Sequence, residues 1–130
     1  MSDLTGKVYI ITGGNGGIGL GMAEGIAMAG GSVAIWGRNE SKNQEALARL
    51  NAIGVKAEAY VCDVGDETAI VDTMKRTVDD FGRLDGLFAN AGRGGAGKKF
   101  IDMSLADWRS VMAINLDGVF LTLREASKIL

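Results

Sequence analysis

The chain has 130 residues, 14 basic and 16 acidic side chains, a formal net charge of -2 and 47% hydrophobic content. This is the length of one domain with enough apolar material for a core, and the near-balanced charge excludes both a disordered chain and a sequence-wide field that recruits nucleic acid or an anionic membrane. With no histidine and a single cysteine, Cys62, an intrachain disulfide and a Cys/His metal cluster are excluded, and any acid–base chemistry falls to Tyr, Lys, Asp or Glu. Cys62 closes an apolar run and reads as a buried thiol. No apolar run approaches the roughly 20 residues that span a bilayer, and Met1 to Lys7 lacks a secretory pattern, so a soluble cytoplasmic protein is expected.

In chain order, Lys7 to Thr12 reads as a buried strand. A glycine-rich turn follows, then a helix over Gly17 to Ala29 with Ile18, Met22, Ile26 and Ala29 on one face, closed by Gly30-Gly31. Ser32 to Trp36 is the next strand. Asn39 or Ser41 can cap a helix that turns Leu47 and Leu50 inward and stops at Gly54. Lys56 to Cys62 alternates like a strand near a sheet edge. Asp66 caps a helix carrying Ile70, Met74, Val78 and Phe81 to the stop at Gly82. Leu84 to Ala89 is a fourth strand, Gly92 to Gly97 a glycine-rich loop, and Ser104 caps a helix with Leu105, Trp108 and Met112. Asn115 and Gly118 interrupt the pattern before a last helix, and the stripe of Leu105, Trp108, Met112, Phe120 and Leu123 reads as mostly core. No repeat or interdomain linker appears.

Regular alternation of strand and helix predicts an α/β fold, a Rossmann-like doubly wound parallel sheet in the order 3-2-1-4, as a single dinucleotide-binding domain over residues 1–130. Ligands bind such sheets at the carboxyl ends of the strands where the order reverses, here between the first and fourth strands. The loops after both strands contain glycine and lie on that rim.

The glycine run admits two registers. Gly14, Gly16 and Gly19 satisfy G-x-G-x-x-G, while Thr12, Gly13, Gly17 and Gly19 satisfy T-G-x-x-x-G-x-G around Asn15 and Ile18. Either register places a helix N-terminus, with free N–H groups and partial positive charge, where a pyrophosphate can approach without meeting a Cβ. An NAD site usually carries an acid at the end of the second strand for the ribose 2′-hydroxyl. Gly37-Arg38 stands there instead, followed by Asn39. Arg38 can pair a 2′-phosphate bidentately, which favours NADP over NAD.

Four segments in this order resemble the short-chain dehydrogenases/reductases in their compact single-domain branch. They are TGGNGGIG at Thr12 to Gly19, Cys62-Asp63-Val64, Asn90-Ala91-Gly92, and Trp108 followed by Ile114 to Phe120. The resemblance covers the whole chain. It implies an oxidoreductase that moves a hydride between a nicotinamide cofactor and a carbonyl or secondary alcohol, commonly as a homodimer or tetramer. It also implies that Thr12, Gly13, Gly17, Ile18 and Gly19 cradle the pyrophosphate, with Asn15 and Gly16 in the same turn. Asp63 and Val64 would contact the adenine. Asn90, Ala91 and Gly92 would run beneath the cofactor, with Asn90 tied to Thr12. Asn115 matches the family's catalytic Asn.

The family's Ser, Tyr and following Lys belong to a half that would come after Leu130. Neither Tyr9 nor Tyr60 has a Lys four residues later. The expectation is therefore an N-terminal half, truncated after the fourth strand and its helices, with negligible activity alone. The alternative is a non-catalytic nucleotide-binding or partner-assembly module. Arg93, Lys98 and Lys99 form a basic loop that can favour an anionic substrate or simply be solvated.

Overall fold

The computed structural model describes residues 2–95 and 97–130. Strands β1 (Val8–Thr12), β2 (Ser32–Gly37), β3 (Ala57–Val61) and β4 (Gly86–Phe88) form one parallel sheet in the order β3-β2-β1-β4. Helices α1 (Gly17–Met28), α2 (Glu40–Ile53), α3 (Glu67–Phe81), α4 (Leu105–Met112) and α5 (Gly118–Ser127) complete it, with a 3-10 turn over Phe100–Asp102 and a π turn over Ala113–Asp117. The expected α/β architecture and strand order are what the chain adopts.

Because successive strand residues face opposite ways, the two sheet faces recruit different helices. Ile11, Val33, Ile35 and Ala57 pack with Leu20, Ala23 and Ile26 of α1 and Ala46 and Leu50 of α2. On the opposite face Ile10, Ala34, Trp36 and Tyr60 pack with Ile70 and Met74 of α3 and Ala126 of α5. The apolar β1 and β2 are buried on both faces. β3 at one edge leaves Glu58 and Val61 exposed, as its alternation implies.

Several local expectations give way to tertiary contacts. The face of α1 that packs is Gly19, Leu20, Ala23, Ile26 and Ala27, while Ile18 is 76% exposed. An almost wholly apolar helix has no polar side to mark its outer face, so small residues that let it lie close to the sheet decide the contact. In α3, Thr73 and Thr77 are buried beside Ile70 and Met74, displacing the expected Val78 and Phe81 to its margin. Strand β4 pairs over only Gly86–Phe88, because it has a neighbour on one side alone and Asn90 turns back onto Phe88 O at 2.9 Å. The expected Gly92–Gly97 loop includes Ala96, which lies outside the described residues.

The larger correction concerns the stripe read as core. Leu105, Trp108, Phe120 and Leu123 are 61%, 51%, 59% and 45% exposed. Helix α5 buries Gly118, Thr122, Glu125 and Ala126 instead. Periodicity identifies an apolar face but not what it meets, and here the small-residue face takes the sheet.

The caps fall where expected. Asn39, not Ser41, accepts the Lys42 N–H at 3.0 Å, Asp66 accepts from Ala69 at 3.2 Å, and Ser104 and Asp107 form a reciprocal capping box. Asp107 also binds Lys98 Nζ at 2.8 Å, so Lys98 is engaged rather than free for a substrate. The Lys98 ammonium, then the Ser104 N–H, hold the Asp107 carboxyl down to about 2. A depressed carboxyl contributes above its ordinary value of 3.8 and is lost as pH falls through the folded value. Protection of the Ser104 amide, followed by NMR, should therefore persist at pH 4 and disappear toward pH 2. Lys98→Ala should move that midpoint upward, and an unchanged midpoint would refute the pairing.

Candidate functional site

The carboxyl ends of β1, β2 and β4 open onto a cleft of about 530 Å³. At its base β1 turns through Gly13 and Gly17, whose φ values of +66° and +53° lie in the left-handed region that favours glycine. A Cβ on Gly13 would stand 3.0 Å from Ala91 Cα, and one on Gly19 would overlap Gly13 O and lie 2.6 Å from Asn90 Nδ2. A Cβ on Gly17 would meet no protein atom within 4 Å. Backbone crowds one side of the turn and leaves the other open.

The helix that follows is unlike its neighbours. Gly16 opens α1 in extended conformation with no side-chain cap and no acid in the first turn, whereas α2, α3 and α4 are each capped by a side chain. The first-turn N–H groups of α1 therefore lack a side-chain partner beside a cleft that Gly16, Ile18 and Gly19 line. A bare helix N-terminus over a glycine turn fits a phosphate group, so these residues suit a dinucleotide's pyrophosphate.

The loop after β4 is tied to this turn. Ala91 donates its N–H to Thr12 Oγ1 at 2.9 Å, and Asn90 Nδ2 donates to Thr12 O at 3.2 Å. Thr12 is itself buried and does not line the cleft, so its hydroxyl braces Asn90-Ala91-Gly92 against β1. Gly17 also stays outside the lining, while Gly13, Asn15, Asn90, Ala91 and Gly92 all belong to it.

Beside the glycine turn, Arg38 and Asn39 follow the buried Gly37 into the cleft wall, joined by Lys42. Lys42 was not among the residues expected from sequence. The signal available was its place in the first turn of the helix after β2, where a long side chain reaches back toward the glycine turn. Its Nζ lies 3.5 Å from where a Cβ on Gly16 would be. Among the described residues neither Arg38 nor Lys42 is paired with a carboxylate.

Cys62, Asp63 and Val64 form the side wall. The Asp63 carboxylate accepts the Gly65 N–H at 2.8 Å and holds the turn after β3. Cys62 is buried, as expected, and burial above all pushes its thiol up. Tyr60 is no candidate acid. It is buried, it donates to Asp80 at 2.6 Å, and burial followed by Asp80 raises its phenol well above the ordinary range.

Asn115 sits in the π turn. Its Oδ1 accepts the Arg93 N–H and its Nδ2 donates to Arg93 O, both at 2.9 Å, so its amide pairs with that residue's backbone as a strand would. Asn115 stays outside the lining, but Ile114 and Arg93 on either side of this clamp enter it. Gly118 closes the turn against Val64 O, which a Cβ would approach to 2.7 Å.

A parallel sheet in this order, with a bare helix N-terminus over a glycine turn at its reversal point, makes the chain a Rossmann-type α/β protein. A family model described as short chain dehydrogenase matches residues 7–130. The chain belongs to that family. It is 37% identical over 128 residues to a sorbose reductase of Schizosaccharomyces pombe, covering 97% of this chain and 50% of the relative. It is also 37% identical over 124 residues to a 2,5-dichloro-2,5-cyclohexadiene-1,4-diol dehydrogenase of Sphingobium indicum, covering 95% and 48%. Among solved structures, NAD+-bound xylitol dehydrogenase superposes with a TM-score of 0.93 at 38% identity, covering 97% of this chain and 48% of that one. The NADPH-dependent 3-quinuclidinone reductase of Rhodotorula rubra gives 0.90 at 40% identity, covering 98% and 48%. The chain thus spans about half the length of the curated relatives it matches.

Proposed function

We propose that this chain is the cofactor-holding part of an NADP-preferring dehydrogenase/reductase that interconverts a carbonyl and a secondary alcohol. The observation that carries the proposal is the cleft itself, which brings an uncapped helix N-terminus together with the cations Arg38 and Lys42. When bound, the nicotinamide supplies the hydride. The chain's own residues bind and orient. First-turn N–H groups of α1 take the pyrophosphate, Arg38 takes the 2′-phosphate with Asn39 beside it, and Cys62 to Val64 wall the adenine. Asn90 to Gly92 carry the loop beneath the central ribose. Asn115 is assigned the place of the family's catalytic Asn through its grip on the Arg93 backbone.

The dehydrogenase and reductase names of the relatives support this reading over a non-catalytic binding module. A cytoplasmic setting and a homo-oligomer belong to the same proposal, the latter supported by the exposed face of Leu105, Trp108, Phe120 and Leu123. Among the described residues no helix is long and apolar enough to cross a membrane.

Titrating the chain with NADPH and NADH while following Trp36, which lines the cleft, tests the binding half of the proposal. Saturable quenching at lower NADPH than NADH is expected, and no saturable change with either overturns it. The same preparation should show negligible carbonyl-dependent NADPH oxidation, because neither tyrosine has the following Lys that would raise its acidity. Robust turnover would overturn that expectation.

A further inference from the structure

A buried amide cluster stands where β2 ends. Asn43 of α2 is fully buried and donates to Gly37 O at 3.0 Å and to Tyr60 O at 3.2 Å. Its Oδ1 accepts from Asn15 Nδ2 at 2.9 Å. One carboxamide thereby ties α2 to the ends of β2 and β3 and to the glycine turn. Its two donors serve strand-end carbonyls, and its oxygen is left to fix the Asn15 side chain over position 37.

Position 37 lies against this pair. A Cβ on Gly37 would overlap Asn15 Nδ2 and stand 2.5 Å from Asn43 Oδ1. Gly37 is not among the glycines with positive φ, so its backbone would accept any residue. The amides, not the backbone, demand glycine. The end of the second strand is also where an acid would hydrogen-bond the ribose 2′-hydroxyl of NAD.

We infer that the Asn15–Asn43 amide pair is a cofactor-specificity lock, holding the space that an acidic side chain at position 37 would need and leaving the 2′ side of the ribose to Arg38. The inference rests on the NADP-preferring reading and deepens it, because the acid is shut out as well as absent. Asn43 acts through Asn15 and Gly37 and is a positioning residue. A single substitution at Gly37 therefore cannot install an NAD site.

The test uses the 130-residue chain and two probes of the adenosine half, 2′,5′-ADP and 5′-AMP, titrated by calorimetry with a thermal melt of every variant. The wild type should bind 2′,5′-ADP about tenfold tighter or more. Gly37→Asp should weaken both probes without reversing their order. Gly37→Asp joined to Asn15→Ala and Asn43→Ser should reverse it, a dependence between neighbouring sites that independent structural damage does not produce. Reversal by Gly37→Asp alone, or failure of the folded triple variant to reverse, overturns the lock.

Should either aspartate variant fail to fold, Gly37→Ala decides the matter. It should lower Tm by about 5 °C or more, and that drop should shrink by at least half in the Asn15→Ala/Asn43→Ser background. Gly37→Ala melting with the wild type overturns the lock, as does a drop that persists unchanged in that background. A wild type that prefers 5′-AMP overturns the NADP reading and the inference with it, whereas a wild type that prefers 2′,5′-ADP beside a neutral Gly37→Ala overturns the lock alone.

Discussion

Gly19→Ala should weaken NADPH binding by about 100-fold or more, because two effects act at one atom. The added Cβ would overlap Gly13 O and press on Asn90 Nδ2 at 2.6 Å. Gly13 is already held by the Trp36 carbonyl at 2.8 Å, so the turn has little room to yield. Overpacking of this kind costs about 1–3 kcal/mol. Any shift of the turn also misaligns the first-turn N–H groups of α1, and each charge-assisted hydrogen bond lost from a phosphate is worth about 1.5–3 kcal/mol. Gly21→Ala is the control. It lies on the same helix with no atom within 4 Å of its Cβ, so it should raise stability by about 0.5–1 kcal/mol and leave affinity unchanged. Equal affinity of Gly19→Ala and wild type in the Trp36 titration would mean that the cleft holds its ligand elsewhere.

Arg38→Ala should weaken NADPH by about 10- to 100-fold while leaving NADH nearly unchanged, since only NADPH carries the group that a guanidinium can pair bidentately. Arg38→Lys should recover only part of the loss, because an ammonium is a point charge without the fork. Lys42→Ala should matter less and increasingly little as salt is raised, since Lys42 is an exposed side chain whose charge is screened. Parallel titrations at two ionic strengths separate the two cations. Equal weakening of NADH and NADPH by Arg38→Ala would remove Arg38 from the 2′-phosphate role and return it to a solvated loop.

Both predictions start from residues that the sequence marks without help. Strand and helix order, the capping residues Asp66 and Ser104, Asn39 as one of two offered caps, and the parallel 3-2-1-4 sheet are local or topological consequences of periodicity and turn chemistry. So is the placement of Gly13 to Gly19, Arg38, Asp63-Val64 and Asn90 to Gly92 on one rim, since each follows directly from a strand end. Most of the cleft lining was legible for that reason.

What only the tertiary structure decided depends on contacts between segments far apart in the chain. Which face of α1 and α5 packs was settled by close approach of small residues to the sheet, which a hydrophobic pattern does not encode. Thr12 carries the expected tie to Asn90, and its hydroxyl also takes the Ala91 N–H, a partner 79 residues away that only the fold brings to it. The Asn15–Asn43 contact over Gly37 joins residues 28 apart through a fold that neither residue's neighbours announce. By itself the sequence determined the element order, the caps and the glycine turn, because those rest on interactions within a few residues. The tertiary structure decided which faces meet, which polar groups are satisfied and what space is left beside Gly37, because those depend on distances set only when the sheet closes.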